Sequence, residues 1–142
     1  MHDIGKVGIP DRILLKPGKF DPEEWRIMKT HSLIGYEILK GDDSHLSEIA
    51  AIIALDHHEK WDGSGYPNSK KGANISIYGR ISALSDVFDA LTSKRPYKES
   101  WAFDEAFNYI RSQREIHFDP ALTDMFFKNM DEIMKIRMNY TD

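Results

Sequence analysis

Histidine and aspartate residues, which can bind metal ions, occur in short groups along the chain. These residues are far apart in sequence and can meet only through folding: His2, Asp3, His31, His57, His58 and Asp86. Imidazole and carboxylate ligands together suit Mn, Fe or Zn. A carboxylate can also bridge two ions about 3.5–4 Å apart in sites that hydrolyse phosphate esters. The sequence therefore contains the ligand types for two metal ions.

Each of these residues also has an ordinary structural interpretation. A histidine at the end of a helix commonly interacts with the last carbonyl groups, and Asp86 in mid-helix can be solvated or paired with Arg80. We interpret His45 as a surface residue in a polar turn and His117 as part of a loop and cap. Considered singly, none of the histidines establishes a metal site.

Composition limits the function classes. The chain has 142 residues, of which 41% are hydrophobic, enough for one domain with one core. Its formal net charge of −4 argues against non-specific binding of DNA or RNA. Because the chain has no cysteine, thiolate zinc sites, disulfides and cysteine nucleophiles are excluded.

No stretch of the sequence has the length and apolarity of a membrane span. The longest apolar run, residues 49–55, is far shorter than the ~20 residues that cross a bilayer. No apolar signal-peptide core follows Met1. These observations predict a cytoplasmic protein without a membrane segment.

Hydrophobic periodicity and capping residues predict a mostly helical domain without strands. Residues 1–20 are expected to be irregular because glycine and proline interrupt them, and residues 62–67 are expected to form a tight loop. The predicted helix starts are Asp21-Pro22 with Glu24, Ser44 or Asp43, Ser76, Ser100, and Asp119-Pro120. The first helix is expected to break near Ser32, after which a second apolar stripe continues to about Lys40. The helix that Ser44 or Asp43 caps is expected to extend through His58.

The residues expected to face the core repeat at helical spacing. They are Trp25, Met28, Ile34, Ile38, Leu39, Leu46, Ile49, Ile53, Ile81, Leu84, Phe88, Leu91, Phe103, Phe107, Ile110, Leu122, Phe126, Met130 and Ile133. Among the aromatic residues, only Trp61 and Tyr66 are expected to lie near a ligand, because they follow His57-His58 closely.

Several motifs occur together in one order along nearly the whole chain. They are His-Asp-Ile-Gly-Lys at 2–6, Leu-Leu-Lys-Pro-Gly at 14–18, Met-Lys-Thr-His at 28–31, His-His-Glu-Lys-Trp-Asp-Gly-Ser-Gly-Tyr-Pro at 57–67, Asp-Val-Phe-Asp-Ala-Leu-Thr at 86–92, Arg-Pro-Tyr-Lys at 95–98 and His-Phe-Asp-Pro at 117–120. This series resembles the HD-GYP family, a branch of the HD-domain metal-dependent phosphohydrolases. The resemblance implies an all-α HD-domain helical bundle and hydrolysis of the bacterial second messenger cyclic di-GMP to pGpG, GMP or both.

The resemblance also implies roles for the metal-binding residues. His2 and Asp3 would be ligands, with Asp3 bridging two ions and Asp86 completing the first site. His31 and His57 would hold the second ion, and His58 would serve a third ion in members that have one. The resemblance favours Fe or Mn over Zn, although His and Asp ligands accept all three metals.

Substrate contacts are implied in the same way. Lys6 would lie beside the scissile phosphate and, with Asp3, belong to the catalytic groups. Arg95 and Lys98 would contact the dinucleotide, and Gly65, Tyr66 and Pro67 would line the cleft. A cation such as Lys6 stabilises negative charge that develops on a phosphoryl group, and an arginine can bind phosphate or a guanine edge with its planar fork.

The position of the His-Asp pair departs from the family pattern. HD-domain enzymes normally have another histidine ligand upstream, and three-metal members have an upstream glutamate, but here the pair stands at positions 2 and 3. We therefore expect residues 1–142 to be the C-terminal portion of the family domain, truncated at its N-terminus. The first metal site is then expected to be weakly occupied, because it lacks the upstream histidine. An apolar patch left exposed is expected to be covered in a homodimer or higher oligomer. A sensory or receiver domain is expected upstream in the natural protein.

Two other functions remain open from the sequence. The chain could be a weakly active or inactive HD-GYP module that senses cyclic di-GMP or regulates a protein partner. It could also be an HD-type phosphohydrolase of mononucleotides, although the Gly65-Tyr66-Pro67 motif favours the cyclic-dinucleotide branch.

Overall fold

The structure, a computed structural model, describes residues 1–41, 44–93 and 100–139. Its α-helices are α1 (Asp11–Leu14), α2 (Pro22–Lys29), α3 (His31–Leu39), α4 (His45–Asp56), α5 (Ile77–Thr92), α6 (Phe103–Ser112), α7 (Pro120–Lys128) and α8 (Met130–Asn139). Two 3₁₀ helices span Ile4–Gly8 and Gly72–Asn74. Within these ranges the only β-type pairing is an isolated bridge between Arg114 and Phe118. The predicted all-α class is confirmed.

Three predicted helix starts form through their capping side chains. The backbone amide of Glu24 donates to Asp21 Oδ1 and that of Asp21 donates to Glu24 Oε2, both at 2.8 Å. Ser76 Oγ accepts from the amide of Gly79, and Asp119 Oδ1 accepts from the amide of Ala121. Each of these hydrogen bonds joins residues two or three apart in sequence, so the capping residues alone are enough to predict where these helices start.

The first twenty residues are more regular than predicted. They contain a 3₁₀ helix and α1, and both Ile9 and Ile13 are buried against Met28 of α2. Proline at position 10 is compatible with a helix start because it needs no amide partner there. Short turns closed by local hydrogen bonds thus replace the expected irregular segment.

Several predicted helix boundaries are wrong, and the first of these changes which end of a helix bears His31. The break between α2 and α3 lies at Thr30, not Ser32, so His31 begins a helix instead of ending one. Helix α6 begins at Phe103, after Ala102 and not at Ser100. The last predicted helix is divided at Asn129, which ends α7 by donating its backbone amide to the carbonyl oxygens of Met125 and Phe126, and α8 begins at Met130.

The core consists of two clusters of apolar side chains. One is formed by Leu84, Phe88, Ile110, Phe118 and Phe126, and the other by Ile9, Ile13 and Met28. Between them, α4 contributes the small buried side chains Ala50, Ala51 and Ala54, which allow close packing against α3 and α5. Leu46, Ile38 and Ile81 were expected inside but are exposed, because no described element covers their side of the helix.

Within the described residues, no helix combines the length and apolarity needed to cross a membrane.

The 3₁₀ helix Ile4–Gly8 packs directly on α3, and Gly5 permits this contact. A Cβ atom at Gly5 would lie 1.9 Å from the carbonyl oxygen of His31 and 2.4 Å from the amide nitrogen of Gly35. Both neighbours are backbone atoms, so they cannot move without shifting α3. The close approach places Asp3, which immediately precedes the 3₁₀ helix, next to the start of α3.

Gly5→Ala should therefore destabilise the fold. We expect the free energy of unfolding to fall by about 1–3 kcal/mol, the usual cost of overpacking a close contact. Gly41→Ala is the matched control, since a Cβ there has nothing within 4 Å. Urea denaturation measures both variants, and equal midpoints would contradict the close-approach explanation.

Candidate metal centre

The structure brings together Asp3, His31, His57 and His58. Each offers a ligand atom, and these atoms all lie within 4.8 Å of one another. His31 begins α3, His57 and His58 follow α4 directly, and Asp3 precedes the first 3₁₀ helix. Because α3 packs on both α4 and that 3₁₀ helix, the ends of three elements meet at one point.

Two histidines in this cluster are held in a defined orientation by backbone carbonyl groups. His31 Nδ1 lies 2.8 Å from the carbonyl oxygen of Met28, and His57 Nδ1 lies 2.9 Å from that of Ala54. A carbonyl oxygen only accepts, so we assign the proton of each neutral ring to Nδ1. Each Nε2 then presents a lone pair, and the two Nε2 atoms are 3.3 Å apart.

Burial keeps these rings neutral. Burial lowers the pKa of His57 to about 4, and the neighbouring His31 and His2 add to the effect. Burial likewise lowers the pKa of His58 to about 3, with contributions from His57 and His31. For His31 burial also lowers the pKa, although its bond to the Met28 carbonyl opposes the shift. At neutral pH the lone pairs are therefore available, which metal binding requires.

The carboxylate of Asp3 faces two directions. Oδ1 lies 3.5 Å from His31 Nε2 and 3.9 Å from His57 Nε2. Oδ2 accepts a hydrogen bond of 2.6 Å from Lys6 Nζ and lies 3.6 Å from His2 Nε2. Burial raises the pKa of Asp3, but the hydrogen bond and charge of Lys6, with His2 and His31, outweigh it and lower the pKa overall. Asp3 is thus ionised at neutral pH.

A second group of ligand types adjoins the first. His2 Nε2 lies 3.6 Å from Asp86 Oδ1 of α5 and 3.6 Å from Asp3 Oδ2. Asp3 therefore belongs to both groups, with one oxygen directed to each. The side chains of this second group remain between a third and two fifths exposed, so they are more open to solvent than His31 and His57.

The residues present fit a divalent metal ion. Two imidazole lone pairs and a carboxylate oxygen face one another, and none of these atoms carries a proton to share. Such a set is repulsive without a cation and matches the nitrogen and oxygen donors that bind Mn, Fe or Zn. His31, His57, His58 and Asp3 could hold one ion, and His2, Asp86 and Asp3 could hold another.

The loop containing the Gly-Tyr-Pro sequence closes over this cluster. The ring of Tyr66 stacks on that of His58, with centroids 4.7 Å apart. A Cβ at Gly65 would lie 2.3 Å from the amide nitrogen of Lys60, so only glycine permits this approach of the loop to its own start. Pro67 follows Tyr66 through a cis peptide bond. Burial, together with the charges of Asp3 and Asp86, raises the pKa of Tyr66, which is therefore neutral.

A buried carboxylate fixes the far side of the same loop. Glu59, which is 1% exposed, accepts hydrogen bonds from the backbone amides of Asn68 and Lys70 at 2.7 and 2.9 Å. The neighbouring Asp56 accepts from Lys70 Nζ and from the amide of Ser76. These bonds attach the loop to the end of α4, which also bears His57 and His58.

A sequence model of the HD domain family matches residues 1–122, a range that contains all the ligand types just described. The chain belongs to the HD domain family. The family resemblance drawn from the sequence motifs is thereby confirmed.

Two relatives are similar over essentially all of this HD domain. The chain is 48% identical to the 3′3′-cGAMP-specific phosphodiesterase 2 of Vibrio cholerae over 142 residues, which is 100% of this chain and 27% of the relative. It is 49% identical to a cyclic di-GMP phosphodiesterase of Thermotoga maritima over 136 residues, 96% of this chain and 37% of the relative. The chain thus spans between a quarter and two fifths of the length of these relatives.

The fold is similar to that of a solved structure. A crystal structure of a cyclic GMP-AMP specific phosphodiesterase of Vibrio cholerae superimposes with a TM-score of 0.63 at 22% sequence identity. The similarity covers 92% of this chain and 31% of the solved one. At that identity the comparison supports the HD-domain fold.

A cavity lies beside the cluster, and its aromatic lining differs from the prediction. The lining residues are Lys6, Leu14, Phe20, Trp25, Met28, His31, His58 and Tyr66. Trp61 was expected near the ligand, but its ring lies beside Arg80, with the guanidinium carbon 5.9 Å from the ring centroid. Trp25, expected in the core, is 45% exposed and lines the cavity together with Tyr66. Helical spacing assigned Trp25 to an inward face, and only its position about one helical turn before Met28 and two before His31 could have indicated the cavity.

The remaining predicted residues are placed as follows. Arg95 and Lys98 lie outside the described residues. His45 is exposed as predicted, but it lies in the first turn of α4 and not in a polar turn, and its Nδ1 is 3.7 Å from Glu48 Oε2. His117 stacks on Phe118, with centroids 4.4 Å apart, and is structural as predicted.

Metal binding to this HD domain should stabilise it through His57. Excess Mn²⁺ at 100 times its dissociation constant should raise the free energy of unfolding by about 2.7 kcal/mol. His57→Gln should lose most of this increment because it removes an oriented lone pair, whereas His45→Gln, at the exposed start of the same helix, should retain it. Urea denaturation with and without Mn²⁺ measures the increment. Equal increments in the two variants would contradict the assignment of His57.

Proposed function

We propose that this HD domain is a metal-dependent phosphodiesterase that hydrolyses a cyclic dinucleotide, and that cyclic di-GMP is its substrate. One observation carries the proposal: the lone pairs of His31 and His57 face Asp3 Oδ1 at 3.5 and 3.9 Å, in an arrangement that needs a cation. The names of the relatives support the substrate class, since one is a cyclic di-GMP phosphodiesterase and another acts on 3′3′-cGAMP.

Two divalent ions, Fe or Mn in preference to Zn, fit this proposal. His31 and His57 would hold one ion, His2 and Asp86 the other, and Asp3 would bridge them, while His58 would serve a third ion. Bound ions of this kind lower the pKa of water and neutralise charge on phosphoryl oxygens. The orientation of the ligands depends on the carbonyl groups of Met28 and Ala54, which fix the two rings before any ion binds.

The proposed reaction is cleavage of one phosphodiester bond. A water oxygen forms a bond to phosphorus, the ribose O3′ leaves with the electron pair of the broken bond, and a proton passes from the water to the leaving oxygen. The product is linear pGpG, and a second cleavage of the same kind would give GMP.

Lys6 is the proposed cation at the reacting phosphate. Its Nζ lies 2.6 Å from Asp3 Oδ2 and its side chain also lines the cavity. This position places a positive charge between the metal ligands and the space open to substrate. A fixed charge stabilises the developing negative charge without reorganisation during the reaction.

Tyr66, with Gly65 and Pro67, would line the cleft. Because Tyr66 is neutral, its hydroxyl can donate a hydrogen bond to the substrate. Arg95 and Lys98 are proposed to contact the dinucleotide as the family resemblance implies. Cytoplasmic location belongs to the same proposal, since a second messenger is hydrolysed there. Self-association remains a prediction.

The enzyme proposal is tested first by Asp3→Asn. Loss of a residue that bonds to a metal ligand from outside lowers activity by about 10–100-fold. Because Asp3 itself faces both ligand groups, we expect Asp3→Asn to lower the hydrolysis of cyclic di-GMP by more than this. The control is Asp104→Asn, an exposed aspartate in the first turn of α6. Metal content and turnover are measured together on cyclic di-GMP, 3′3′-cGAMP and mononucleotides.

The outcomes of this experiment separate the functions that the sequence left open. The enzyme proposal would be wrong if the fully metal-loaded chain hydrolysed none of these substrates and Asp3→Asn behaved in the same way. Calorimetric binding of cyclic di-GMP to the metal-free chain would then support a sensor. Preferential turnover of mononucleotides would indicate an HD-type phosphohydrolase of a different branch.

Lys6→Gln should separate charge stabilisation from metal binding. We expect kcat to fall by about 100-fold, the lower part of the range for loss of one preorganised electrostatic group, while metal content is unchanged. Lys40→Gln is the control, since Lys40 is exposed at the end of α3, where its Nζ bonds to Glu37 and lies over the ring of Tyr36. An unchanged kcat in Lys6→Gln, measured at saturating substrate, would exclude the proposed role.

A further inference from the structure

A cavity of about 330 Å³ adjoins the candidate metal centre. Its polar lining consists of Lys6, His31, His58 and Tyr66, all four of which belong to or contact the ligand cluster. Its apolar lining consists of Leu14, Phe20, Trp25 and Met28. A mostly apolar wall that meets a few convergent polar groups is typical of a small-molecule site. The apolar wall has no part in the chemistry described so far.

Trp25 has more ring surface available than the other aromatic side chains of this wall. Its side of the cavity is open enough that the residue is 45% exposed. Tyr66, by contrast, already stacks on His58 and has Lys29 Nζ 5.8 Å from its ring centroid. A large aromatic ring gains free energy from burial, so a ring left open beside a polar site is suited to contact with a ligand.

Phe20 and Tyr66 hold the indole in place. The ring of Phe20 lies nearly parallel to that of Trp25, at an interplanar angle of 15° and a centroid distance of 6.2 Å. Tyr66 meets Trp25 edge-on, at 79° and 6.1 Å. Contacts in two directions restrict the orientation of the indole, so little entropy would be lost when a planar ligand stacks on it.

We infer that Trp25, backed by Phe20, stacks with one purine base of the dinucleotide whose phosphate lies at Lys6 and the metal ligands. This inference rests on the proposed function, because the site is the same. The cavity volume is at the low end of the range for small-molecule pockets, which suits one base with its sugar and not a whole dinucleotide. The second nucleoside then lies outside this cavity.

The stacking surface should favour ligands that contain a base over ligands without one, but it should not distinguish one base from another. Base–aromatic stacking tolerates any base because each has a π face. The ring faces of Trp25 and Phe20 carry no hydrogen-bond donor or acceptor, since the indole N–H of Trp25 lies in the plane of its ring. Guanine and adenine should therefore gain equally from Trp25. Discrimination between cyclic di-GMP and 3′3′-cGAMP must come from other residues.

Equilibrium binding tests this inference without requiring turnover. The full chain with Mn²⁺ is titrated by NMR with GMP, AMP and ribose 5-phosphate, which share a sugar and phosphate but differ in the base. We expect GMP and AMP to bind with similar affinity and about 5- to 150-fold more tightly than ribose 5-phosphate, the range for stacking of one base. Trp25→Ala should remove this difference.

Two further variants distinguish stacking from loss of structure. Trp25→Phe retains an aromatic face and should retain most of the difference between GMP and ribose 5-phosphate. Phe103→Ala removes a partly exposed aromatic side chain from α6, away from the cavity, and should leave all three affinities unchanged. Circular dichroism verifies the helical content of every variant.

Binding and turnover can fail separately. A base-dependent difference that disappears in Trp25→Ala supports the stacking surface even where no cyclic dinucleotide is hydrolysed, in which case only the proposed function fails. In an active chain, Trp25→Ala should raise KM for cyclic di-GMP and 3′3′-cGAMP equally and leave kcat unchanged, because stacking is the same in ground and transition states. Equal affinity of the parent chain for GMP and ribose 5-phosphate, or unchanged GMP affinity in Trp25→Ala, would overturn the inference.

Discussion

The arrangement of the site depends on two hydrogen bonds from histidine side chains to main-chain carbonyl groups three residues earlier in the sequence. His31 donates from Nδ1 to the carbonyl of Met28, and His57 donates from Nδ1 to that of Ala54. Each bond satisfies one nitrogen and directs the other towards Asp3. Because the two Nε2 atoms and Asp3 Oδ1 are all acceptors, this part of the fold carries electrostatic repulsion that a cation relieves. The free energy of cation binding and the stability of the fold are consequently linked.

This arrangement requires backbone segments to approach more closely than ordinary side chains allow. Gly5 lets the first 3₁₀ helix contact the start of α3, and Gly65 lets the Tyr66 loop return to the end of α4. At Gly79, a Cβ would lie 2.4 Å from the Cβ of Asp56, so α5 also approaches the end of α4. Gly5 thus acts at the start of α3, where His31 lies, and Gly65 and Gly79 act at the end of α4, which His57 and His58 follow. The metal-binding geometry is therefore a property of the packing between elements and not of any single motif.

The sequence predicts local features well and relative orientations poorly. The capping box at Asp21 and Glu24 depends on residues three apart, and it forms as expected. His31 was placed at the wrong end of a helix, because the boundary at Thr30 is where α3 begins, and α3 packs on the first 3₁₀ helix, which is distant in sequence. Trp25 and Ile81 have helical spacing typical of core residues, yet both are exposed. Whether a helix face is covered depends on neighbours that periodicity does not describe.

The convergence of the metal-ligand types was predictable for a different reason. The family motifs place His2, Asp3, His31, His57, His58 and Asp86 in one series, and the structure brings their side chains into two adjoining groups. The aromatic wall was not predictable in this way, since Phe20 and Trp25 look like ordinary core residues in sequence.

His58 links the metal-binding cluster to the cavity. Its ring contacts those of His57 and His31 on one side of the site, with centroids 4.0 and 5.0 Å apart, and stacks on Tyr66. Burial keeps His58 neutral, so it adds no charge that would repel a cation. The loop that bears Tyr66 is attached to the same helix end by Glu59. A displacement of this helix end would therefore move His57, His58 and the loop that bears Tyr66 together, so the ligand cluster and one side of the cavity share the same support.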